Sequence, residues 1–208
     1  MTVTEDYGYA GGMSGDVSYV VANGCTADVA VNGNGFTGGM VGSAFAGSFE
    51  NCTVRGKVNG SWTVGGFAGT LYYSARAKNC VSYVNVESYD WRTGGFAGAL
   101  EGFDDGSRVV LDGCSAKGNV NITGTFSDIR AGGFCGWCTY LTATDCSSNS
   151  EVVADFENYK FDTIGSFIGY DGGNNQTKSC WYDATKSTGL AAVSNPASSS
   201  SHDIKAVK

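Results

Sequence analysis

A glycine-rich hexad recurs six times along the 208-residue chain and limits its fold more than any other feature. Each copy has a small or β-branched residue, Gly, Gly or Ser, a large apolar residue, any residue and Gly. The hexads occupy residues 10–15, 37–42, 64–69, 93–98, 131–136 and 164–169, and their opening glycines lie 27, 27, 29, 38 and 33 residues apart. A repeat of this length is typical of a solenoid, a propeller or a similar array.

A single cysteine follows each hexad, 14 to 20 residues after its opening glycine. The six are Cys25, Cys52, Cys80, Cys114, Cys146 and Cys180. From each of the first five, every second position is small or apolar, as in Cys25, Ala27, Val29 and Val31, while polar residues occupy most positions between. This alternation predicts a strand of about seven residues with a narrow inward face.

The hexad itself is predicted to form a second strand. Its large residue is Met13, Met40, Phe67, Phe96, Phe134 or Phe167. We expect these side chains to stack inside the coil as a core ladder, beside a second ladder formed by the six cysteines. The closing glycine would leave room for large neighbours, or for a bend where the backbone approaches itself closely.

These patterns predict an all-β fold, a single-stranded β-helix (β-solenoid) of about six coils with a period of about 27 residues. The single proline agrees with this fold class. Residues 1–190 would form the solenoid, and residues 191–208 a Ser-rich tail, linker or cap. A propeller is the competing periodic fold, but its blades need about 40 residues each.

The hexads resemble the GLUG motif of secreted and surface-anchored bacterial proteins, including regions near IgA-type metallopeptidases and large adhesins. The similarity covers about residues 8–190, and Asn51-Cys52 and Asn79-Cys80 match the step that opens the next strand in that family. Cys180-Trp181-Tyr182-Asp183 resembles the signature that closes such arrays, although Phe or Met stands where the family usually has Leu. The resemblance implies a bacterial extracellular β-solenoid whose motif is structural and carries no catalytic residues.

Eight cysteines in a secreted protein would ordinarily suggest disulfides. Stacked at the coil spacing of about 4.8 Å, however, the ladder cysteines would be farther apart than the roughly 3.5–4.5 Å between Cβ atoms in a disulfide. We therefore expect buried thiols, with pairing of Cys25 and Cys52 as the alternative. Cys135 and Cys138 have the C-x-x-C spacing of redox sites, but they replace small or aliphatic residues of other hexads. We expect no metal and no cofactor.

Some β-helix proteins are enzymes that cleave acidic polysaccharides with clustered carboxylates. The adjacent pair Asp104 and Asp105 falls in an insertion of the fourth coil, where a solvated loop is expected. His202 is the only histidine and lies in a Ser-rich stretch of linker composition, which disfavours a Ser-His-Asp arrangement. No Gly-Lys-Ser/Thr follows the hexads, so a phosphate-binding loop is not indicated.

Charge and hydropathy exclude two kinds of partner. The net charge is −7 and no cluster of Lys and Arg is present, so nucleic acid is not an expected partner. No apolar stretch reaches 18 residues, so we expect no membrane insertion. The first twenty residues lack the pattern of a signal peptide, and we expect the chain to be a segment of a longer protein.

Aromatic residues supply the candidate ligand-binding positions. Trp62 and Trp91 stand at the same offset before consecutive hexads, with Tyr89 nearby, and Tyr72 and Tyr73 follow a hexad. Rings exposed at coil spacing would form a platform for sugar rings or for a partner protein, unless they only cover corners of the coil.

The predicted function is a non-enzymatic structural and binding module of a large secreted or cell-surface bacterial protein, a stalk or adhesin segment. Its partners would be neighbouring domains of the same polypeptide and a host glycan or protein. The alternative is a substrate-docking region of a secreted peptidase or carbohydrate-active enzyme.

Overall fold

The computed structural model describes residues 1–124, 128–154 and 163–208. It is an all-β solenoid of about seven turns with a period of about 28 residues, one turn more than the hexads predict. The strands pair in parallel, each with the equivalent strand of the next turn. The described residues contain no helix long and apolar enough to cross a membrane.

Three sheets run along the coil. The first has six strands, β2 (Tyr9–Gly11), β6 (Phe36–Gly38), β10 (Thr63–Gly65), β14 (Arg92–Gly94), β19 (Arg130–Gly132) and β24 (Ile164–Gly165). The second also has six, β3 (Ser14–Ser18), β7 (Val41–Phe45), β11 (Ala68–Tyr72), β15 (Ala97–Glu101), β20 (Cys135–Thr139) and β25 (Ile168–Asp171).

The third sheet is broad, because two successive strands of each turn contribute to it. It contains β1 (Thr2–Glu5), β4 (Val21–Asn23), β5 (Thr26–Gly33), β8 (Ser48–Glu50), β9 (Thr53–Gly60), β12 (Arg76–Lys78), β13 (Val81–Ser88), β16 (Val109–Asp112), β17 (Ser115–Ala116), β18 (Val120–Ile122), β21 (Leu141–Thr144), β22 (Ser147–Ser148), β23 (Val152–Val153), β26 (Gln176–Asp183) and β27 (Ser201–Val207). Its long strands, such as β5, alternate buried and exposed side chains, as the pattern after each cysteine predicts.

Each hexad forms a sharp arch between the first and second sheets, so the prediction of a single strand through it is wrong. In the second hexad, β6 ends at Gly38 and β7 begins at Val41. A Cβ on Gly38 would lie 2.1 Å from the carbonyl oxygen of Val41, and one on Gly42 would lie 2.6 Å from that of Phe36. The two sheets approach too closely for any side chain at these positions, and glycine is therefore required.

A left-handed residue stands immediately before each ladder cysteine. These residues are Gly24 (φ 66°), Asn51 (φ 53°), Asn79 (φ 52°), Gly113 (φ 63°), Asp145 (φ 52°) and Ser179 (φ 54°). Glycine, asparagine and aspartate tolerate this conformation best. The Asn-Cys step is thus a corner of the coil, and serine is the least suited of the six residues to occupy it.

Substitution of Ser179 by glycine is expected to stabilise the protein. The substitution removes the cost of a left-handed L-residue, about 1–2 kcal/mol. It introduces an opposing cost of about 0.5–1 kcal/mol, because glycine loses more backbone entropy on folding. We expect a gain in Tm of about 1–4 °C for a chain of this size, measured by thermal unfolding. The neighbouring Lys178 is not among the residues with a positive φ. Lys178→Gly therefore relieves no strain and should lower the Tm. An unchanged or lower Tm for Ser179→Gly would contradict the strain at this corner.

Stacked side chains fill the interior of the coil. The rings of Phe67, Phe96, Phe134 and Phe167 lie face to face, with neighbouring centroids 4.7–5.0 Å apart and planes within 3°. Met40 is buried in the same column, whereas Met13, in the first turn, is 39% exposed. Large apolar side chains of the hexads thus lie directly over one another along the rod.

The six cysteines that follow the hexads also stack. The residue after each cysteine donates its amide N–H to the carbonyl of the cysteine one turn earlier, as Thr53 does to Cys25 (2.8 Å) and Val81 to Cys52 (2.9 Å). The pattern continues to Trp181, which donates to the Cys146 carbonyl at 3.1 Å. Five of these cysteines are buried and Cys25 is half-buried, and all are free thiols.

Residues 191–208 add the seventh turn. The carbonyls of Ala191 and Ala192 accept hydrogen bonds from the amides of Ser166 and Phe167, and β27 pairs in parallel with β26. His202 therefore lies within a strand that covers the preceding turn, although its surroundings have the composition of a linker.

Candidate functional site

A first aromatic row runs along one side of the solenoid. It is formed by Tyr9, Phe36, Trp62 and Trp91. Tyr9 and Phe36 are register partners at the start of β2 and β6, and their rings lie 5.3 Å apart and nearly parallel. Phe36 contacts Trp62 at 5.3 Å, and the indoles of Trp62 and Trp91 stack at 6.0 Å with planes 16° apart. Trp62 has a φ of 67° and a 46% exposed side chain, an unusual conformation for a bulky residue.

A second aromatic row, formed by Tyr19, Phe45, Tyr72, Tyr73 and Phe103, follows the end of the second sheet. Phe45 stacks on Tyr73 at 4.7 Å and 11°. Tyr72 meets Phe45 at 72°, so its ring is turned out of the stack. At most one face of Tyr72 is occupied by this contact.

A groove of about 230 Å³ runs between the two rows. It is lined by Tyr9, Phe36, Ser43, Thr70, Tyr72 and Glu101. Ser43 and Thr70 are register partners on β7 and β11, and both are almost fully buried. The groove thus combines aromatic walls, two hydroxyl groups and one carboxylate, a composition typical of small-ligand sites.

The Thr70 hydroxyl has no hydrogen-bond partner within the described part of the chain, although the residue is only 4% exposed. A buried hydroxyl without a partner costs about 1–3 kcal/mol. Thr37 of β6 shares this property but does not line the groove. The two threonines therefore form a natural pair for experiments that separate binding from stability.

A salt bridge holds Glu101, one of the residues that line the groove. Arg92 donates from Nη1 to Glu101 Oε1, and its guanidinium lies between the rings of Trp91 (3.9 Å) and Trp137 (4.1 Å). Burial lowers the pKa of Arg92, while Glu101 opposes this shift. Burial likewise raises the pKa of Glu101, against the effect of Arg92. The arginine is held rigidly by both rings, and it fixes the carboxylate at the groove.

The structure divides the predicted aromatic residues between the two rows. Trp62 and Trp91 come together in the first row, and Tyr72 and Tyr73 lie in the second, across the groove. Tyr89 is exposed and has no place in either row. Because the two indoles stack on each other, each covers part of its neighbour's face.

Sequence reasoning missed most of the groove. Its residues Tyr9 and Phe36 stand immediately before a hexad, and the same position is Thr63, Arg92 and Arg130 in the next three turns. Register therefore places rings at one end of this column and arginines at the other. The residue preceding each hexad was the available signal.

A buried carboxylate ties the last turn to the coil. Asp171 accepts hydrogen bonds from the amides of Gly173 (2.8 Å) and Ala197 (2.9 Å), from Ser200 Oγ (2.9 Å), from Asn175 Nδ2, and from His202 Nε2 (2.9 Å). A serine, a histidine and an aspartate thus meet here. The Ser200 hydroxyl donates to the carboxylate and not to the imidazole, so the histidine is not placed to remove its proton.

The remaining candidate groups have local roles. Asp105 lies in a turn and accepts hydrogen bonds from the hydroxyl and amide of Ser107, which lower its pKa. No cluster of three or more His, Cys, Asp or Glu side chains suited to a metal occurs among the described residues.

Seven of the eight thiols are buried, and Cys25 is half-buried. Burial raises the pKa of Cys52, and burial together with the neighbouring Cys135 thiol raises that of Cys138. Both changes disfavour the reactive thiolate.

Alkylation should therefore depend on unfolding. We expect iodoacetamide to modify only Cys25 in the native protein and all eight cysteines in denaturant, as counted by mass spectrometry. Native modification of any other ladder cysteine would contradict a closed core.

No protein-family model matches the chain, and no curated protein sequence matches it either.

Proposed function

We propose that this chain is a non-enzymatic structural and binding module of a larger secreted or cell-surface bacterial protein, a stalk or adhesin segment. The observation that carries the proposal is the unbroken stacking of about seven turns, each hydrogen-bonded to the next. At about 4.8 Å per turn, the first and last turns lie about 29 Å apart. Such a rod holds two surfaces at a fixed separation.

The resemblance of the hexads to the GLUG motif supports the bacterial extracellular setting. The two aromatic rows support the binding role, because partly exposed rings that continue over several turns suit a long partner. Neighbouring domains of the same polypeptide would be the structural partners, and a host glycan or protein would contact the rows.

The groove also supports the second candidate, a substrate-docking region of a secreted peptidase or carbohydrate-active enzyme. It offers aromatic and hydroxyl groups to a ligand. A region that holds a substrate for a catalytic domain elsewhere in the polypeptide needs the same features.

Antibody labelling of intact source cells tests the location. Antibodies against the folded chain should label unbroken cells or the culture medium, and labelling that appears only after lysis would overturn the proposal. A reducing-end assay on polysaccharides incubated with the protein tests the non-enzymatic role. Release of new reducing ends would show that the protein is an enzyme.

A further inference from the structure

We infer that the groove between the aromatic rows binds a neutral carbohydrate chain, with one sugar ring packed against Tyr72. This inference rests on the binding role proposed above and specifies its ligand class. A pyranose ring has an apolar face of C–H groups and a rim of hydroxyls. The groove presents matching chemistry, an aromatic ring beside two hydroxyls and a carboxylate.

Tyr72 is the ring suited to this contact. Rings within the stacked parts of the rows cover one another's faces, as Phe45 and Tyr73 do at 4.7 Å and 11°. Tyr72 stands at 72° to Phe45 and lines the groove, so one of its faces is free of this contact. Tyr9 and Phe36 form the facing wall.

Hydrogen-bonding groups at the base of the groove define the ligand further. The Thr70 hydroxyl is buried without a partner within the described residues although the residue lines the groove, and a ligand would have to reach its Oγ1 by a rotation about χ1. Glu101 gives one oxygen, Oε1, to Arg92 and has a second oxygen to accept a hydrogen bond from a sugar hydroxyl. A ligand hydroxyl would supply the partner that Thr70 lacks.

Charge favours a neutral glycan over an acidic one. The charged side chain lining the groove is that of Glu101, whose partner Arg92 is not among the lining residues, and the chain as a whole carries a net charge of −7. Uronates and sialic acids would be repelled. An extended peptide is disfavoured too, because β6, β7, β10 and β11 are paired on both edges and have no free edge for strand addition.

The size of the groove sets the expected mode of binding. A volume of 230 Å³ lies below the roughly 300–1,000 Å³ of sites for drug-sized ligands, which suits a single sugar unit. Further units of the chain would lie outside it, along the rows.

Calorimetric titration of the whole chain with three neutral hexasaccharides tests the inference. The probes are cellohexaose, mannohexaose and chitohexaose, with polygalacturonate as the acidic comparison. We expect at least one neutral probe to bind and polygalacturonate not to compete. If none binds at millimolar concentration, or if the acidic polymer binds best, the inference is overturned.

Matched variants locate the binding. Tyr72→Ala should weaken binding at least tenfold, whereas Tyr83→Ala, which truncates a more exposed tyrosine on the broad sheet, should change it less than twofold. Thr70→Val should weaken binding about 2- to 10-fold without lowering the Tm. Thr37→Val removes an equally buried, unpartnered hydroxyl and should leave binding unchanged.

The outcomes separate this inference from the proposed function. Equal effects of Tyr72→Ala and Tyr83→Ala, or of Thr70→Val and Thr37→Val, would move binding away from the groove. A folded chain that labels on intact cells yet binds none of the probes overturns the ligand class alone. Circular dichroism of each variant shows that the fold is retained.

Discussion

Replacement of Phe96 by alanine is expected to lower the free energy of unfolding by about 3–5 kcal/mol, as for large-to-small changes in other cores. Its ring is fully buried between those of Phe67 and Phe134, at 4.9 and 5.0 Å with planes 3° apart. The cavity would cut the column of rings in the middle of the rod, and parallel strands on both sides would resist its collapse. Urea denaturation measures the loss.

An exposed ring provides the control for this prediction. Phe103 is 44% exposed and contacts Tyr73 at 6.2 Å, so Phe103→Ala should cost less than about 1 kcal/mol. If Phe96→Ala cost no more than Phe103→Ala, the internal rings would not be packed in register. Phe134→Ala should resemble Phe96→Ala, because its ring has the same two-sided contacts.

Replacement of Asp171 by asparagine is expected to cost about 3 kcal/mol, because the amide cannot accept all five hydrogen bonds and leaves buried donors unpaired. The loss should appear first as opening of the last turn. Hydrogen exchange of the residue 197–207 amides should accelerate far more than exchange in β9. Ser200→Ala removes a single donor and should cost about 1 kcal/mol. Uniform acceleration along the chain would contradict a local tie.

The same carboxylate makes the last turn sensitive to acid. Burial raises the pKa of Asp171, but hydrogen bonds from His202, Ala197, Gly173 and Asn175 outweigh it and lower the pKa from 3.8 to about 2. Because the pKa of Asp171 is lower in the folded protein than in the unfolded chain, its ionised carboxylate stabilises the folded state. This stabilisation is complete above about pH 4 and is lost as the pH falls towards 2. It amounts to about 2 kcal/mol.

Unfolding at two pH values tests this linkage. The stability difference between wild type and Asp171→Asn should be largest at pH 6 and should shrink by about 2 kcal/mol at pH 2. A difference independent of pH would mean that the charge of Asp171 does not hold the turn.

The periodic part of the fold was accessible from sequence because each turn repeats the same local pattern. Alternation after the cysteines predicts β5, β9 and β13, and stacking of equivalent residues follows from the coil spacing. The arch at each hexad was not predicted. The spacing of the large residue in a run such as Gly38-Gly39-Met40 is compatible with a strand. The bend is evident from the structure, where a Cβ on Gly38 would lie 2.1 Å from the carbonyl oxygen of Val41.

The aperiodic parts were harder to predict for a different reason. The seventh turn lacks a hexad, and its attachment depends on Asp171, where other turns place Ala44, Leu71, Leu100 or Cys138. Composition alone made Ser198 to His202 resemble a linker. The groove depends on which side chains face each other across two sheets, whereas the sequence displays residues of one strand at a time.

Strands of the solenoid pair only with strands of adjacent turns, and this has a consequence for how the protein folds as it is made. Each turn needs only its predecessor as a template, and the paired residues are separated by about 28 positions in the chain. The polypeptide can therefore wind vectorially, adding one rung at a time as it leaves the ribosome or a translocation pore. For the exported chain proposed above, folding after export would then require no distant segment to arrive first.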